Sequence, residues 1–161
     1  MPKGNGHNIN ITVVIDTITG SGDNDFITGS NGADQIDGRA GNDLIVGRRG
    51  DDVLIGGNGP SNEQFGFTAG DGHDVVRDYN ASSDDLLFSY GTANTGAAAN
   101  LTNGWHITTT EGHTLTVSQQ GADAVFSWDG GQDTVVLQNV AVSDISTADL
   151  HFFSGSTGWM F

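Results

Sequence analysis

The sequence contains no cysteine, only two prolines and only five basic residues among 161. The absence of cysteine excludes disulfide bonds and thiolate zinc sites. Against the five basic residues stand 18 aspartates and two glutamates, which give a formal net charge of −15. A chain this acidic is a poor partner for nucleic acid and a good partner for multivalent cations.

Long apolar runs are also missing. The N-terminal stretch MPKGNGHNINITVV holds one lysine and no long apolar run, so the sequence predicts neither a cleavable secretory signal nor a membrane span. The basic residues stop at Arg77, whereas residues 78–161 carry nine acidic side chains. This asymmetry predicts two parts with different roles.

Glycine is abundant, with 25 residues, and much of it follows a nine-residue repeat. In each unit an apolar residue stands two positions after an aspartate, and a glycine stands four positions after the same aspartate. The aspartates are Asp16, Asp25, Asp34, Asp43 and Asp52. The apolar residues are Ile18, Ile27, Ile36, Ile45 and Leu54, and the glycines are Gly20, Gly29, Gly38, Gly47 and Gly56. Three series with one period predict a repeat architecture.

A period of nine leaves room for a six-residue glycine-rich turn and a three-residue strand. Only the middle side chain of so short a strand faces the core. Two units then make one full coil, with strands alternating between two facing sheets. The pattern therefore stacks Ile18, Ile36 and Leu54 on one sheet, and Ile27 and Ile45 on the other. Such coils are stable only where neighbours cover one another.

The units GSNGADQID, GRAGNDLIV and GRRGDDVLI resemble the hemolysin-type nonapeptide of the repeats-in-toxin (RTX) family. The resemblance implies an all-β fold, a right-handed parallel β-roll (a β-solenoid) filled with calcium and followed by a β-rich C-terminal cap. It divides the chain into a flexible N-terminus (1–10), a calcium-binding roll (11–78) and a cap (79–161). In relatives such a cap can include the secretion signal.

The chemistry of the repeats also points to calcium. Aspartates two units apart lie on neighbouring rungs, about 4.8 Å from each other, and calcium sits about 2.3–2.6 Å from each oxygen ligand. Without a cation, such carboxylates repel by about 3 kcal/mol per pair at an effective dielectric near 20. Glycines expose backbone carbonyls, which are calcium ligands as well. Zinc and copper favour histidine or cysteine, which the repeats lack.

The RTX pattern implies ligand sets in which two turns on one edge each give two backbone carbonyls and one aspartate. The first set is Ser30, Gly32, Asp34, Gly47, Arg49 and Asp52. The second is Ser21, Asp23, Asp25, Gly38, Ala40 and Asp43. The third is Thr12, Val14, Asp16, Gly29, Asn31 and Asp34. The fourth is Arg48, Gly50, Asp52, Ala69, Asp71 and Asp74.

The register loosens after Leu54. Two extra residues put Glu63 where an aspartate is expected, which leaves open a further set. That set comprises Arg39, Gly41, Asp43, Gly56, Asn58 and Glu63. We expect several calcium ions, between about three and five, each with six to eight oxygen ligands.

Beyond residue 78 the period is lost. The segments LLFSY, WHITTT, HTLTVSQ, AVFSWD and DTVVLQ predict short strands. The segment SDISTADL predicts one helical turn capped by Ser143 or Ser146. The predicted core residues of this part are Phe126, Trp128, Val136, Leu137, Phe152 and Phe153.

Catalytic motifs are absent from the sequence. No histidine is followed by Glu-x-x-His, and no Gly-x-Ser-x-Gly occurs, which excludes the metalloprotease and lipase signatures. No phosphate-binding glycine loop follows a strand. We therefore predict a calcium-binding module that is not itself an enzyme.

The resemblance implies a secreted bacterial protein, extracellular or at the cell surface, exported by type I secretion machinery. It would be disordered without calcium and fold on binding calcium outside the cell. Two alternatives stay open: an accessory polysaccharide-binding or folding module of an exoenzyme of the alginate epimerase, protease or lipase type, and an adhesin or surface-layer segment. The outward Arg39, Arg48 and Arg49 fit either solvation of the turns or contact with an anionic extracellular polysaccharide.

Overall fold

The computed structural model describes residues 16–93 and 99–154. The strands of this part, in chain order, are β1 (Asp16–Thr19), β2 (Phe26–Thr28), β3 (Asp34–Asp37), β4 (Leu44–Val46), β5 (Val53–Ile55), β6 (Gln64–Thr68), β7 (His73–Val76), β8 (Asp85–Ser89), β9 (His106–Thr108), β10 (Thr114–Gln120), β11 (Asp123–Trp128), β12 (Asp133–Leu137) and β13 (Leu150–Phe152). Two short 3₁₀ helices, Val142–Asp144 and Thr147–Asp149, precede β13.

The strands form two sheets. Sheet A has the order β1-β3-β5-β7-β12-β11-β10-β9, and sheet B has the order β13-β8-β6-β4-β2. Odd and even strands of the first eight thus alternate between the sheets, and each sheet receives four of them. This is the parallel β-roll that the nine-residue period predicts, so the predicted fold class is confirmed.

Strands two repeats apart pair in register. Ile18 pairs with Ile36 and Ile36 with Leu54 in sheet A, while Ile27 pairs with Ile45 in sheet B. The side chains of Ile36, Ile45 and Leu54 are fully buried. Both predicted apolar stacks are therefore confirmed. They form because the middle residue of each short strand has only the opposite sheet to pack against.

The roll continues past the point where the repeat loosens. Ile45 pairs with Phe65 and Val53 pairs with Val75, so the extra residues lie in the turns and the sheets keep their pairing. Phe65 is fully buried where the earlier rungs have an isoleucine. Larger side chains thus widen the core toward the C-terminal end.

The later strands extend both sheets rather than forming a separate layer. β12 runs parallel to β7, with Val136 opposite Val75, and β11, β10 and β9 follow as antiparallel neighbours. β13 closes sheet B by pairing in parallel with β8. The five strands predicted beyond residue 78 correspond to β8 to β12. The helical turn is also present, and Ser146 caps its second 3₁₀ helix in a capping box with Asp149.

Aromatic residues fill the C-terminal core. The rings of Phe88 and Trp128 meet edge to face at 5.1 Å, and Tyr90 stacks on Trp128 at 5.0 Å. Phe126, Trp128 and Leu137 are buried as predicted.

The core prediction was wrong for Phe153, which is 41% exposed. It lies just beyond the end of β13, and none of the described strands includes it. Val136 and Phe152 are half-buried, and Phe152 packs against the main core. In the described residues, no helix is long and apolar enough to cross a membrane.

Candidate calcium-binding edges of the roll

The turns of the roll stack along two edges. Turns 20–25, 38–43 and 56–63 form edge one, and turns 29–33, 47–52 and 69–72 form edge two. Turns of successive repeats therefore lie on opposite edges, and turns two repeats apart are neighbours. Asp43 is the neighbour of Asp25 on edge one, and Asp52 is the neighbour of Asp34 on edge two.

A ladder of carboxylates connects the rungs of each edge. On edge two, the backbone N–H of Asp34 donates to Asp52 Oδ1 at 2.7 Å, and that of Asp52 donates to Asp74 Oδ1 at 3.0 Å. On edge one, the N–H of Asp25 donates to Asp43 Oδ1 at 2.9 Å. Each carboxylate thus uses one oxygen to hold the preceding rung, which orients its other oxygen.

The second oxygens of the inner carboxylates are buried and have no partner. Asp52 is 0% exposed and Asp43 is 1% exposed, and in the described chain neither Asp52 Oδ2 nor Asp43 Oδ2 accepts a hydrogen bond. Glu63 Oε1 is in the same situation. Buried carboxylate oxygens are normally paired, because an unpaired one keeps the full cost of leaving water. A cation held by these oxygens would offset that cost.

Carbonyl oxygens converge on the same places. A methyl group built on Gly38 would stand 2.6 Å from the carbonyl oxygen of Gly56 and would also collide with Asp43 Oδ2. At Gly20 the corresponding neighbours are Gly38 O at 2.5 Å and Asp25 Oδ2 at 2.9 Å. One carboxylate of a turn and one carbonyl of the next rung therefore face a common space above the first glycine of the turn.

Edge two repeats this arrangement. A methyl group on Gly29 would stand 2.6 Å from Asp34 Oδ2 and would collide with the carbonyl oxygen of Gly47. Among the described residues, no three Asp, Glu or His side chains converge as a metal site, so carbonyls have to complete any ligand set. Hard oxygen donors of both kinds are the ligands that calcium takes. The residues present fit calcium.

The geometry bears on the predicted ligand sets one by one. It brings Asp34 and Gly47 together for the first set, and Asp25 and Gly38 for the second. Of the third set, Thr12 and Val14 lie outside the described residues, and Asp16 is exposed at the start of β1. The remaining members of the predicted sets lie in the turns of the expected edges. They are Ser21, Asp23, Ser30, Asn31, Gly32, Ala40, Arg48, Arg49 and Gly50. Their roles as ligands remain predictions.

The fourth set differs at Asp71. Thr68 occupies both of its carboxylate oxygens, through a backbone N–H at 2.5 Å and a hydroxyl at 2.9 Å. The carbonyl of Asp71 accepts the N–H of Gly50 at 2.7 Å. In this turn Asp74, whose Oδ1 holds Asp52, continues the ladder.

In the set that the sequence left open, a carboxylate and a carbonyl again face a common space. Asp43 and Gly56 meet above Gly38. On the next rung, Asp84 Oδ1 accepts the N–H of Glu63 at 3.2 Å. The two extra residues of turn 56–63 thus do not prevent the carbonyl of its first glycine, Gly56, from reaching the Asp43 carboxylate.

Two further aspartates support the edges and were not identified in the sequence. Asp133 accepts the N–H groups of Gly70 at 2.8 Å and Gly72 at 3.1 Å. Asp78 accepts those of Gly56 and Gly57, both at 2.8 Å. Both lie outside the nine-residue register, so the repeat carried no signal for them.

Burial changes the acidity of the edge carboxylates. It raises the pKa of Asp52 to about 6 and that of Asp74 to about 8, and neighbouring aspartates add to both shifts. The pKa of Glu63 is raised to about 7 by burial and by Asp84. The pKa of Asp43 is raised as well, first by burial. In the absence of a cation, folding therefore shifts these groups toward the protonated form.

These shifts in pKa predict that the calcium-free chain becomes more stable, not less, as the pH falls. The folded state holds protons that the unfolded state, with its aspartates near a pKa of about 4, has already released. Stability without calcium should therefore rise as the pH falls from about 8 to about 4. Circular dichroism of the chelator-treated protein at pH 5 and pH 8 measures the folded fraction at each pH. A lower folded fraction at pH 5 would contradict the assignment of the buried carboxylates.

The comparisons with known proteins agree with this geometry. Residues 15–45 and 37–59 match the family model described as RTX calcium-binding nonapeptide repeat (4 copies). The fold is that of a parallel β-roll. The match covers residues 15–59, which are the repeats that resemble the RTX nonapeptide. No curated protein matches the chain in sequence.

A solved structure with a TM-score above 0.5 shows a similar fold, and two others match with lower TM-scores. The AlgE6R2 subunit of the Azotobacter vinelandii mannuronan C5-epimerase is 23% identical, with a TM-score of 0.51 over 89% of this chain and 94% of that subunit. The AlgE6R3 subunit of the same enzyme is 20% identical over 92% of this chain and 85% of its own, with a TM-score of 0.30. The extracellular lipase LipA of Serratia marcescens is 28% identical over 84% of this chain, with a TM-score of 0.44. The chain spans 20% of that lipase's length.

Proposed function

We infer that this chain is a non-catalytic calcium-binding module whose folding depends on calcium bound between the rungs of its roll. The observation that carries this proposal is the pair of buried, unpartnered oxygens, Asp43 Oδ2 and Asp52 Oδ2. Beside Asp43 Oδ2, the carbonyl oxygen of Gly56 approaches the same space above Gly38.

The energetics of the roll support the coupling to folding. Folding stacks carboxylates on neighbouring rungs and removes them from water, and both effects oppose the folded state when no cation is present. Calcium bound between two rungs replaces the repulsion between their carboxylates with attraction of both carboxylates to the ion. Because the ligands of one ion come from turns two repeats apart, the site does not exist in the unfolded chain. The free energy of binding is then free energy of folding.

The proposed place of action is outside the cell. Extracellular calcium modules have dissociation constants of about 10⁻⁴ to 10⁻³ M, a range suited to extracellular calcium. The family's association with type I secretion supports export of the unfolded, calcium-free chain. In this proposal, the roll folds after it reaches the calcium outside.

Counting the bound ions tests the proposal. Native mass spectrometry of the chain in millimolar calcium should show between about three and five bound ions, each taking six to eight oxygen ligands. Magnesium at the same concentration should not replace them, because it demands a tighter octahedral shell and dehydrates reluctantly. A chain that is folded at neutral pH without bound calcium would overturn the proposed function.

A second candidate function, binding of a carboxylated polysaccharide, is favoured by one cavity. It has a volume of about 460 Å³ and lies beside edge two, where Arg48 and Arg49 line it together with His113. Both arginines are exposed. His113 contacts Asp129 through Nδ1 at 2.6 Å, which fixes the ring. Guanidinium groups bind carboxylates in a bidentate manner, so the two arginines suit an acidic sugar chain. Asp71 and Glu111 line the same cavity and would repel such a ligand where it approaches them.

Oligomers of mannuronate and guluronate titrated into the calcium-loaded protein test this second function. The Arg48→Ala, Arg49→Ala variant should lose binding by about tenfold or more, since each charge-assisted hydrogen bond contributes about 1.5–3 kcal/mol. Arg77→Ala is the matched control, because Arg77 is also exposed but does not line this cavity. Equal binding by both variants would exclude the cavity as the saccharide site.

A further inference from the structure

The outer face of sheet A carries a patch of branched apolar side chains. Leu54 of β5 and Val76 of β7 are fully buried and face the core, so the residues on either side of them along each strand face outward. The same alternation of buried and half-buried residues holds in β12. We call the four apolar residues of this face the outer patch: Val53 and Ile55 of β5, Val75 of β7 and Val136 of β12.

The outer patch is contiguous, and no described strand covers it. Val53 pairs with Val75 and Val75 pairs with Val136, so these three side chains stand side by side on neighbouring strands. All four patch residues are half-buried, and neither hydrophobic cluster of the described residues includes any of them. Every strand of residues 16–93 and 99–154 belongs to one of the two sheets. Adjacent apolar side chains left open on one face indicate an interaction surface.

Charges of opposite sign stand on either side of Ile55. Asp37 of β3 pairs with Ile55, and the N–H of Arg77 donates to the carbonyl of Leu54 at 3.0 Å, which continues the pairing of β5 with β7 to Arg77. The two charged residues are therefore two strand spacings, about 10 Å, apart. Neither forms an ion pair within the described chain. A surface that fits this face presents an acid to Arg77 and a base to Asp37.

A second copy of the chain presents both groups. In a two-fold dimer each contact occurs twice, with the two copies exchanged. An axis parallel to the strands, between β5 and β7, sets Val53 of one copy against Val75 of the other. The same axis lays the apolar stem of Arg77 over Ile55 of the other copy, one strand spacing from the Asp37 that its guanidinium can reach.

The charges also select the position of the axis. An axis along β7 would set the two Arg77 side chains against each other, and an axis along the row of Asp37 and Arg77 would oppose like charges at both positions. Like-charge contacts oppose association. We propose that the calcium-loaded roll forms a two-fold dimer in which the outer patches of two copies pack together and Arg77 of each copy pairs with Asp37 of the other.

This dimer requires calcium. The outer patch exists only when β5, β7 and β12 are paired, so the proposal rests on the proposed calcium-dependent folding. About three to five bound ions add about +6 to +10 to the net charge of −15, which weakens the repulsion between two copies. The patch crosses only three strands, and small interfaces belong to weak complexes, so we expect a dissociation constant in the micromolar range. Neither the outer patch nor Asp37 nor Arg77 lines the cavity beside edge two, so loss of the dimer leaves that candidate saccharide site in place.

Sedimentation velocity of the full chain in saturating calcium tests the proposal, with circular dichroism of the same samples as the measure of folding. The wild type should change from monomer to dimer as its concentration rises from about 1 µM to about 1 mM. Asp37→Lys and Arg77→Glu, each made alone, set like charges against each other twice in the dimer. Each should raise the dissociation constant by about tenfold or more.

A mixture of the two variants tests the pairing itself. In a heterodimer of an Asp37→Lys chain with an Arg77→Glu chain, both contacts again join opposite charges. The equimolar mixture should therefore dimerise about as well as the wild type, although each variant alone does not. Because the mixture contains the same two chains, damage to the fold of either variant cannot produce this recovery.

Three results would overturn the proposal. The first is a folded wild-type chain that stays a monomer up to about 1 mM, which contradicts the dimer and leaves calcium-dependent folding intact. The second is a mixture of folded variants that dimerises no better than either variant alone. The third is a wild-type chain that stays unfolded in saturating calcium, which contradicts the proposed function as well.

Discussion

An Asp52→Asn variant is expected to need at least about tenfold more calcium than the wild type to reach half-maximal folding. The substitution keeps the shape of the side chain and an oxygen that can accept the N–H of Asp34. It removes the charge and replaces the unpartnered Oδ2 with an NH₂ group, which donates hydrogen bonds and cannot bind a cation. Because Asp52 stands between the rungs of Asp34 and Asp74, the loss reaches two neighbouring sites.

The neighbouring aspartate provides the control. Asp51 is exposed, and its Oδ1 accepts the N–H of His73 at 3.0 Å. Asp51→Asn changes the net charge by the same amount but leaves the buried ladder intact, so its calcium midpoint should shift less than about twofold, as for a screened surface charge. Circular dichroism during calcium titration measures both variants. Equal midpoints would show that the charge of the turn, and not the buried oxygen, determines the response.

A Gly38→Ala variant is expected to lose bound calcium and to be destabilised in saturating calcium by about 1–3 kcal/mol, the range for steric overpacking. The new methyl group would stand 2.6 Å from the backbone carbonyl of Gly56 and against Asp43 Oδ2. The carbonyl belongs to the backbone, and the Asp43 side chain is buried and held through its Oδ1 by the N–H of Asp25, so the turn itself has to shift. The donors of edge one would then separate.

Gly22→Ala is the matched control, because among the described residues no atom outside its own chain neighbours lies within 4 Å of the position that its methyl group would take. Gly22 is an exposed residue of the neighbouring rung of the same edge. Native mass spectrometry and calorimetry should find the wild-type number of calcium ions and nearly wild-type stability in this variant. If Gly38→Ala bound as many ions as Gly22→Ala, the space above the first glycine would not be the calcium site.

The parts of the fold that follow the nine-residue period could be predicted from the sequence. Each repeat specifies its own turn and the inward residue of its strand, so the stacks of Ile18, Ile36 and Leu54 and of Ile27 and Ile45 follow from spacing alone. The pairing of Asp43 with Asp25 rather than Asp52 follows in the same way, since adjacent units lie on opposite edges.

What escaped prediction depends on contacts between distant parts of the chain. The parallel pairing of β12 with β7 brings Asp133 to edge two, and no local pattern links residue 133 to the turn at residues 69–72. The RTX pattern places Asp71 in the fourth set through its backbone carbonyl, and the two hydrogen bonds that Thr68 donates to its carboxylate had no signal in the repeat. The exposure of Phe153 depends on where sheet B ends.

The central claim is that calcium between the rungs drives the folding of the roll. Far-ultraviolet circular dichroism of the chain at neutral pH, first in excess chelator and then with calcium added to the millimolar range, tests it most directly. We predict a spectrum of a disordered chain in chelator that becomes rich in β-structure with calcium and does not change with magnesium alone. A β-rich spectrum in chelator that calcium leaves unchanged would contradict the account.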